Sequence, residues 1–167
     1  MRDPKPVEGR RALLFERLTD DEPRSPEEEA QPFRVLDVRA LKESVRRELS
    51  RLLNTRSHTR SHTRAVPGGA GEMTVLDYGL PDFSSLAATS SDDQNRLAAA
   101  VAAAVAAFEP RLRDVRVRVE RVGRDDRALL LRVEAVLSVG LVAEPVSFPV
   151  LVRGQSGEAE VHEDESA

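Results

Sequence analysis

The feature that most narrows what this chain can fold into is a change of period between residues 91 and 122. Leu97, Val101, Val105 and Phe108 recur at helical spacing and form one apolar stripe. The alanines between them add helix propensity with almost no side-chain bulk, so this helix can lie very close to whatever it packs on. Ser91 is placed to cap it, with Asp92 and Asp93 at the positive end of the helix dipole. Pro110 pushes the preceding residue out of the α region, which stops the helix at about Phe108. Beyond it Val115, Val117 and Val119 alternate with Arg116, Arg118 and Glu120, the period of a strand. Glu109, Pro110 and Arg111 therefore sit on a helix-to-strand corner.

Two more strands follow. Residues 128–139 carry Leu129, Leu131, Val133, Ala135, Leu137 and Val139 on one face and Leu130 and Val136 on the other, which predicts a central strand covered on both sides. Residues 146–152 alternate again, but Pro145 and Pro149 cannot donate to a ladder, which predicts an edge strand. Residues 35–54 read as a second long helix, with Val38, Leu41, Val45, Leu49 and Leu52 inward and Asn54 as a candidate C-cap. Its other face carries Arg39, Lys42, Arg46, Arg47 and Arg51, a solvated basic face rather than a nucleic-acid surface, since no nucleic-acid motif accompanies it. The expected fold is α+β, helices packed on a small, mainly antiparallel three-stranded sheet.

The flanks are different in kind. Residues 1–32 read as an arm: a polar start, a short helix at about 12–18, and an acidic, proline-containing linker. Leu13, Leu14, Phe15 and Leu18 suit either a cap on the chain's own core or a partner-binding arm. Residues 33–153 form the single domain, with a flexible insertion at 57–71 where Ser-His-Thr-Arg occurs twice in tandem. Residues 154–167 read as a disordered acidic tail.

At 167 residues with a net charge of −4, the chain is long enough for one real core and calls for neither nucleic acid nor membrane in bulk. With no cysteine there is no disulfide, thiolate zinc site or cysteine nucleophile, and no apolar run approaches a membrane span. A cytoplasmic location is the simplest expectation. His58 and His62 are four apart, but no third ligand accompanies them, so no metal site is assigned. Nor does a phosphate-cradling loop, a dinucleotide fingerprint or a Ser-His-Asp order occur, and no cofactor is expected.

Three motifs in order, Leu52-Leu53-Asn54-Thr55-Arg56, Tyr78-Gly79-Leu80-Pro81-Asp82 and Phe108-Glu109-Pro110-Arg111-Leu112, resemble the TssE family, wedge subunits of the type VI secretion baseplate related to the lysozyme-like baseplate wedge proteins of contractile phage tails. The insertion departs from the family pattern, in which the first two motifs lie closer together. The resemblance implies a strand region like the handshake domain of the contractile sheath. It implies a structural role in a sixfold, hetero-oligomeric baseplate docked at the inner membrane, binding other wedge subunits and linking them to the first sheath ring. It also implies that Glu109, Pro110 and Arg111 bind partners.

Two alternatives from other classes remain: a peptidoglycan hydrolase and a basic-helix nucleic-acid binder. Glycoside hydrolysis needs two carboxylates across a cleft, one of them kept protonated, and the one carboxylate among apolar neighbours, Glu109, has Arg111 two residues away. No enzyme activity is expected. For the sheet, charge pairing favours Arg118 opposite Glu134 and Glu120 opposite Arg132 over a two-residue slide that sets Arg118 against Arg132, by up to ~1 kcal/mol per pair. With the third strand outermost, its free edge is the expected docking edge.

Overall fold

The computed structural model describes residues 10–14, 35–58, 73–85, 87–122, 128–139, 142–153 and 156–162. A two-stranded ribbon of β1 (Arg10–Arg11) and β2 (Val35–Leu36) leads into α1 (Val38–Asn54). A 3-10 turn (Val75–Asp77) and α2 (Ser91–Phe108) precede a four-stranded antiparallel sheet in the order β3 (Leu112–Val122), β4 (Ala128–Val139), β5 (Val142–Arg153) and β6 (Ala159–Val161). The predicted helix at about 12–18 falls mainly outside the described residues, as do residues 59–72 of the insertion.

Both helices lie on one face of the sheet, so the fold is α+β with one buried layer boundary. Leu41, Val45, Leu49, Leu52 and Leu53 of α1 and Leu97, Val101, Ala104 and Val105 of α2 meet Leu129, Leu131, Val133, Ala135 and Leu137 of β4 and Val146, Phe148, Val150 and Val152 of β5 in one core. The apolar stripes expected for both helices are the buried ones, with Phe108 half-buried and Val38 at the exposed end of α1.

Boundaries shift where local capping outweighs pattern. Ser90, not Ser91, caps α2, its hydroxyl accepting from the Asp93 amide at 3.4 Å. Asp37 caps α1 by accepting from the Ala40 amide at 2.8 Å, so the helix starts three residues later than its apolar period suggested. Thr55 rather than Asn54 ends it.

The sheet corrects four expectations. It has four strands, because Ala159–Val161, read as part of a disordered tail, pairs antiparallel with Val150–Val152. Ala159 and Val161 face the core and Glu160 faces out, so a three-residue alternation sufficed in an otherwise acidic stretch. Consequently β5 is not an edge strand. Pro149 is tolerated because its carbonyl accepts the His162 amide at 2.8 Å while its missing donor lies on this short outer ladder; by alternation Pro145 faces the same way. The strand β4 is central, but its second face is only half-covered, and Leu130 and Val136 share it with Arg132 and Glu134.

The register also differs: Arg118 lies opposite Arg132, Arg116 opposite Glu134, and Val117 and Val119 opposite Val133 and Leu131. Irregularities between Arg113 and Arg116, where Asp114 takes φ 55°, and between Val119 and Arg121 shift the pairing along β3. Opposite charges still meet, but diagonally, with Arg118 3.4 Å from Glu134 and Arg132 bonded to Glu120. Long arginine side chains reach a diagonal neighbour as readily as a direct one, so charge did not select the register.

Candidate functional site

At the corner, Glu109 and Arg111 make their immediate contacts within the chain, and Pro110 is exposed. The Glu109 amide donates to Val105 O at 2.9 Å, closing the last helical turn, and the Leu112 amide donates to Glu109 O at 3.0 Å, so the reversal spans three residues. The Glu109 and Arg111 side chains fold back inward, 4% and 3% exposed. Arg111 Nε donates to Glu109 Oε1 at 2.7 Å and Nη2 to Oε2 at 2.6 Å, a bidentate fork, while its backbone amide donates to Oε1 at 3.1 Å. Nη1 donates to Ser44 Oγ at 2.6 Å, and Ser44 is fully buried on the core face of α1. No buried side-chain polar atom among the described residues lacks a partner.

The resemblance implies that these residues bind partners. In this chain they satisfy each other, and Pro110 between them is the exposed member of the tripeptide.

The other two motifs converge on the same end of α1. The Tyr78 ring stands edge-on to Phe108 with centroids 5.3 Å apart, joining the second motif to the third. Burial raises the Tyr78 pKa above 10.0, and the charges of Glu48 and Glu109 add to the rise while Arg51 opposes it. Gly79 adopts φ +105°, and a Cβ there would lie 2.3 Å from the Thr55 carbonyl oxygen, so only glycine allows this approach. It lets the Leu80 amide donate to Thr55 O and the Ser57 amide to Leu80 O, each at 2.9 Å. Ser57 and His58, read as the start of a loose insertion, are thus tied to Leu80 and Leu76 by backbone bonds. His62 lies outside the described residues.

The first motif holds the C-terminal strand. Asn54 Nδ2 donates to Ala159 O at 2.7 Å, and Asn54 Oδ1 accepts from the Ala159 amide at 2.9 Å. Arg46 Nη1 donates to Val161 O at 3.3 Å, and Arg56 Nη2 donates to the carbonyls of Ser156 and Gly157 at 3.3 and 3.2 Å. The basic face of α1 is therefore partly engaged: Arg46 bonds Glu43 as well, Arg51 bonds Glu48, and Lys42 lies 2.6 Å from Glu144. The sequence reading passed over Ser44, Asn54 as a strand clasp, Arg46 and Arg56. A polar Ser44 beside Val45 on a buried helix face was the available signal; the others needed β6 to be recognised first.

On the sheet, the outer edge of β3 carries no further strand among the described residues, and its arginines Arg113, Arg116 and Arg118 are exposed. Elsewhere, Met73, Val75 and Leu76 form an exposed apolar turn, braced by a capping box in which Asp77 Oδ2 accepts from the Thr74 amide at 2.8 Å and hydroxyl at 2.9 Å.

The described residues thus form an α+β domain with a buried, internally bonded ion pair at its helix-to-strand corner and a last described strand held by side chains of α1. A family model described as baseplate wedge protein gp25 matches residues 39–140, and the chain belongs to that family. Among solved structures, a chain of the baseplate complex from the type VI secretion system is similar at 17% identity and a TM-score of 0.45, over 68% of this chain and 94% of that one. A search of curated proteins found no match. No helix among the described residues is long and apolar enough to cross a membrane.

Proposed function

We propose that this protein is a structural subunit of a type VI secretion baseplate, a TssE-like wedge component that binds other wedge subunits and joins the baseplate to the first ring of the contractile sheath. It works as a scaffold and not as an enzyme, in the cytoplasm, within a sixfold assembly docked at the inner membrane. Its membership of the baseplate wedge family supports this reading, as does the arrangement of the three motifs. The observation that carries it is the convergence of Asn54, Tyr78 and the Glu109-Pro110-Arg111 corner on one braced region around α1 and α2.

Glu109, Pro110 and Arg111 form the wedge contact. The buried pair fixes the corner, and exposed Pro110 with its fixed φ is offered without further loss of freedom on binding. The sheath contact falls on the edge of the sheet. With the outer side of β5 partly taken by β6, the edge with no further strand among the described residues is that of β3, where Arg113, Arg116 and Arg118 suit an acidic partner segment.

The test is co-expression of the full chain with the wedge and sheath subunits of the same baseplate, followed by affinity purification. Wild type should retain both. Pro110→Glu should lose the wedge subunits, and charge reversal at Arg113 and Arg116 should lose the sheath while keeping them. Retention of every partner by both variants would refute the two assignments, and clearing of a peptidoglycan suspension by the purified chain would refute the scaffold reading itself.

A further inference from the structure

The helix α1 ends by handing over to extended backbone. Thr55, its C-cap, takes φ −91° and ψ 138°, and the next residue, Arg56, forms a parallel bridge with Leu80. The Leu80 amide donates to Thr55 O and the Ser57 amide to Leu80 O, each at 2.9 Å, so residues 55–57 are docked on the segment that follows Tyr78. The side chains flanking Thr55 reach a different part of the chain. Asn54 bonds both backbone groups of Ala159, and Arg56 Nη2 donates to the carbonyls of Ser156 and Gly157.

Two glycines show how closely these segments meet. Gly79 and Gly157 are the glycines with positive φ among the described residues, at +105° and +63°. Both press on the same dipeptide. A Cβ on Gly79 would lie 2.3 Å from Thr55 O, and one on Gly157 would lie 1.9 Å from Arg56 Nη2. A guanidinium that swung clear of that Cβ would give up the two carbonyls it holds. Residues 54–56 thus join two distant segments, one through backbone bonds and one through side chains.

The strand β6 pairs with β5 over three residues only, and so short an element opens locally at a cost below that of global unfolding. What fixes it from outside the sheet includes Asn54 and Arg56, and these reach it from a backbone held in place by Leu80. We infer that residues 54–56 form a latch coupling the docking of the second motif, Tyr78 to Asp82, to the seating of β6, so that the two are released together as one local unit while β3 and β4 stay paired. A change at Gly79, whose close approach is to Thr55, is then felt at β6. By reciprocity, loss of the Arg56 side-chain bonds is felt at Leu80. The latch is a conformational device within the chain and stands apart from the contacts assigned to the corner and to β3.

Amide hydrogen exchange followed by NMR on the full chain tests it, with Val133 in β4 as the reference. In wild type the amides of Ser57, Leu80, Glu160 and His162 should share one opening equilibrium and one denaturant dependence, with Val133 exchanging far more slowly. Gly79→Ala should speed exchange at Glu160 and His162 at least ~5-fold, and should have no further effect there in a chain that already carries Asn54→Ala and Arg56→Ala. Arg56→Ala replaces an exposed side chain and leaves the backbone bonds of Leu80 in place, yet it should speed exchange at Leu80 by a similar factor. That variant decides if Gly79→Ala does not fold. Without a latch each variant loosens its own neighbours alone, Gly79→Ala at Leu80 and Arg56→Ala at Glu160 and His162. That pattern, separate opening equilibria for the two regions in wild type, or an equal effect of Gly79→Ala with and without the two latch side chains overturns the inference.

Discussion

Truncation of Arg111 to alanine is the sharpest perturbation of the corner. It strips a guanidinium from Glu109 and Ser44 at once, leaving a carboxylate 4% exposed with only the backbone amide of residue 111 on it and a hydroxyl 0% exposed without the guanidinium. Removing one member of a buried ion pair costs about 3–5 kcal/mol, because the remaining charge stays desolvated and unpaired. At roughly 2–4 °C per kcal/mol for a chain of this size, the melting temperature should fall by roughly 6–20 °C. The burial also means that Arg111→Ala tests folding before it tests partner binding. The companion variant replaces the whole network, Glu109→Leu with Arg111→Met and Ser44→Ala, and should recover most of the loss, since no orphan charge remains. Thermal melts followed by circular dichroism at pH 7 make the comparison. A loss below about 1 kcal/mol for Arg111→Ala, or a network replacement no more stable than the single variant, would refute the argument that the pair acts by internal satisfaction.

Other outcomes follow from single contacts. Gly79→Ala should destabilise by at least ~1–3 kcal/mol in denaturant titration, since it must both adopt φ +105° and clear the Thr55 carbonyl. Asn54→Ala should leave the β3–β4 amides protected but speed hydrogen exchange at Glu160 and His162, because local opening of β6 caps the loss below the global stability. The chain has one tyrosine and no tryptophan, so absorbance near 295 nm follows Tyr78 alone. Its midpoint should lie above 10.0 in the folded chain and return to 10.0 in denaturant, with Glu48→Gln lowering the folded midpoint. As the folded pKa is the raised one, stability from this group is complete below pH 10 and lost as pH rises through the folded value.

The helices and the long strands were legible because their signals are local and repeated. Leu97, Val101 and Val105 declare one face of α2, and β4 runs over the residues its alternation implied. What the sequence could not display was anything set by a single contact across the fold. The β3–β4 register was argued from charge pairs worth at most ~1 kcal/mol, whereas a slid register must also place Leu112 against Leu137 and absorb two irregularities that charge pairing does not see. Likewise β6 is three residues long in acidic surroundings, and its stability comes from β5 and α1 rather than from propensity.

The same distinction explains the corner. From composition alone, opposite charges flanking a proline at a chain reversal look like an outward-facing recognition element. Whether they face outward depends on whether a neighbouring element supplies a small polar group at the right place, and here Ser44 does, from a helix 67 residues away in sequence. Because the pair needs that serine, α1 and the helix-to-strand corner are ordered together, and Tyr78 against Phe108 adds the second motif to the same unit. A partner that engages exposed Pro110 therefore meets a surface whose shape is set by all three motifs. Motifs of this kind can be functional without touching a partner, by fixing the geometry of the residue that does.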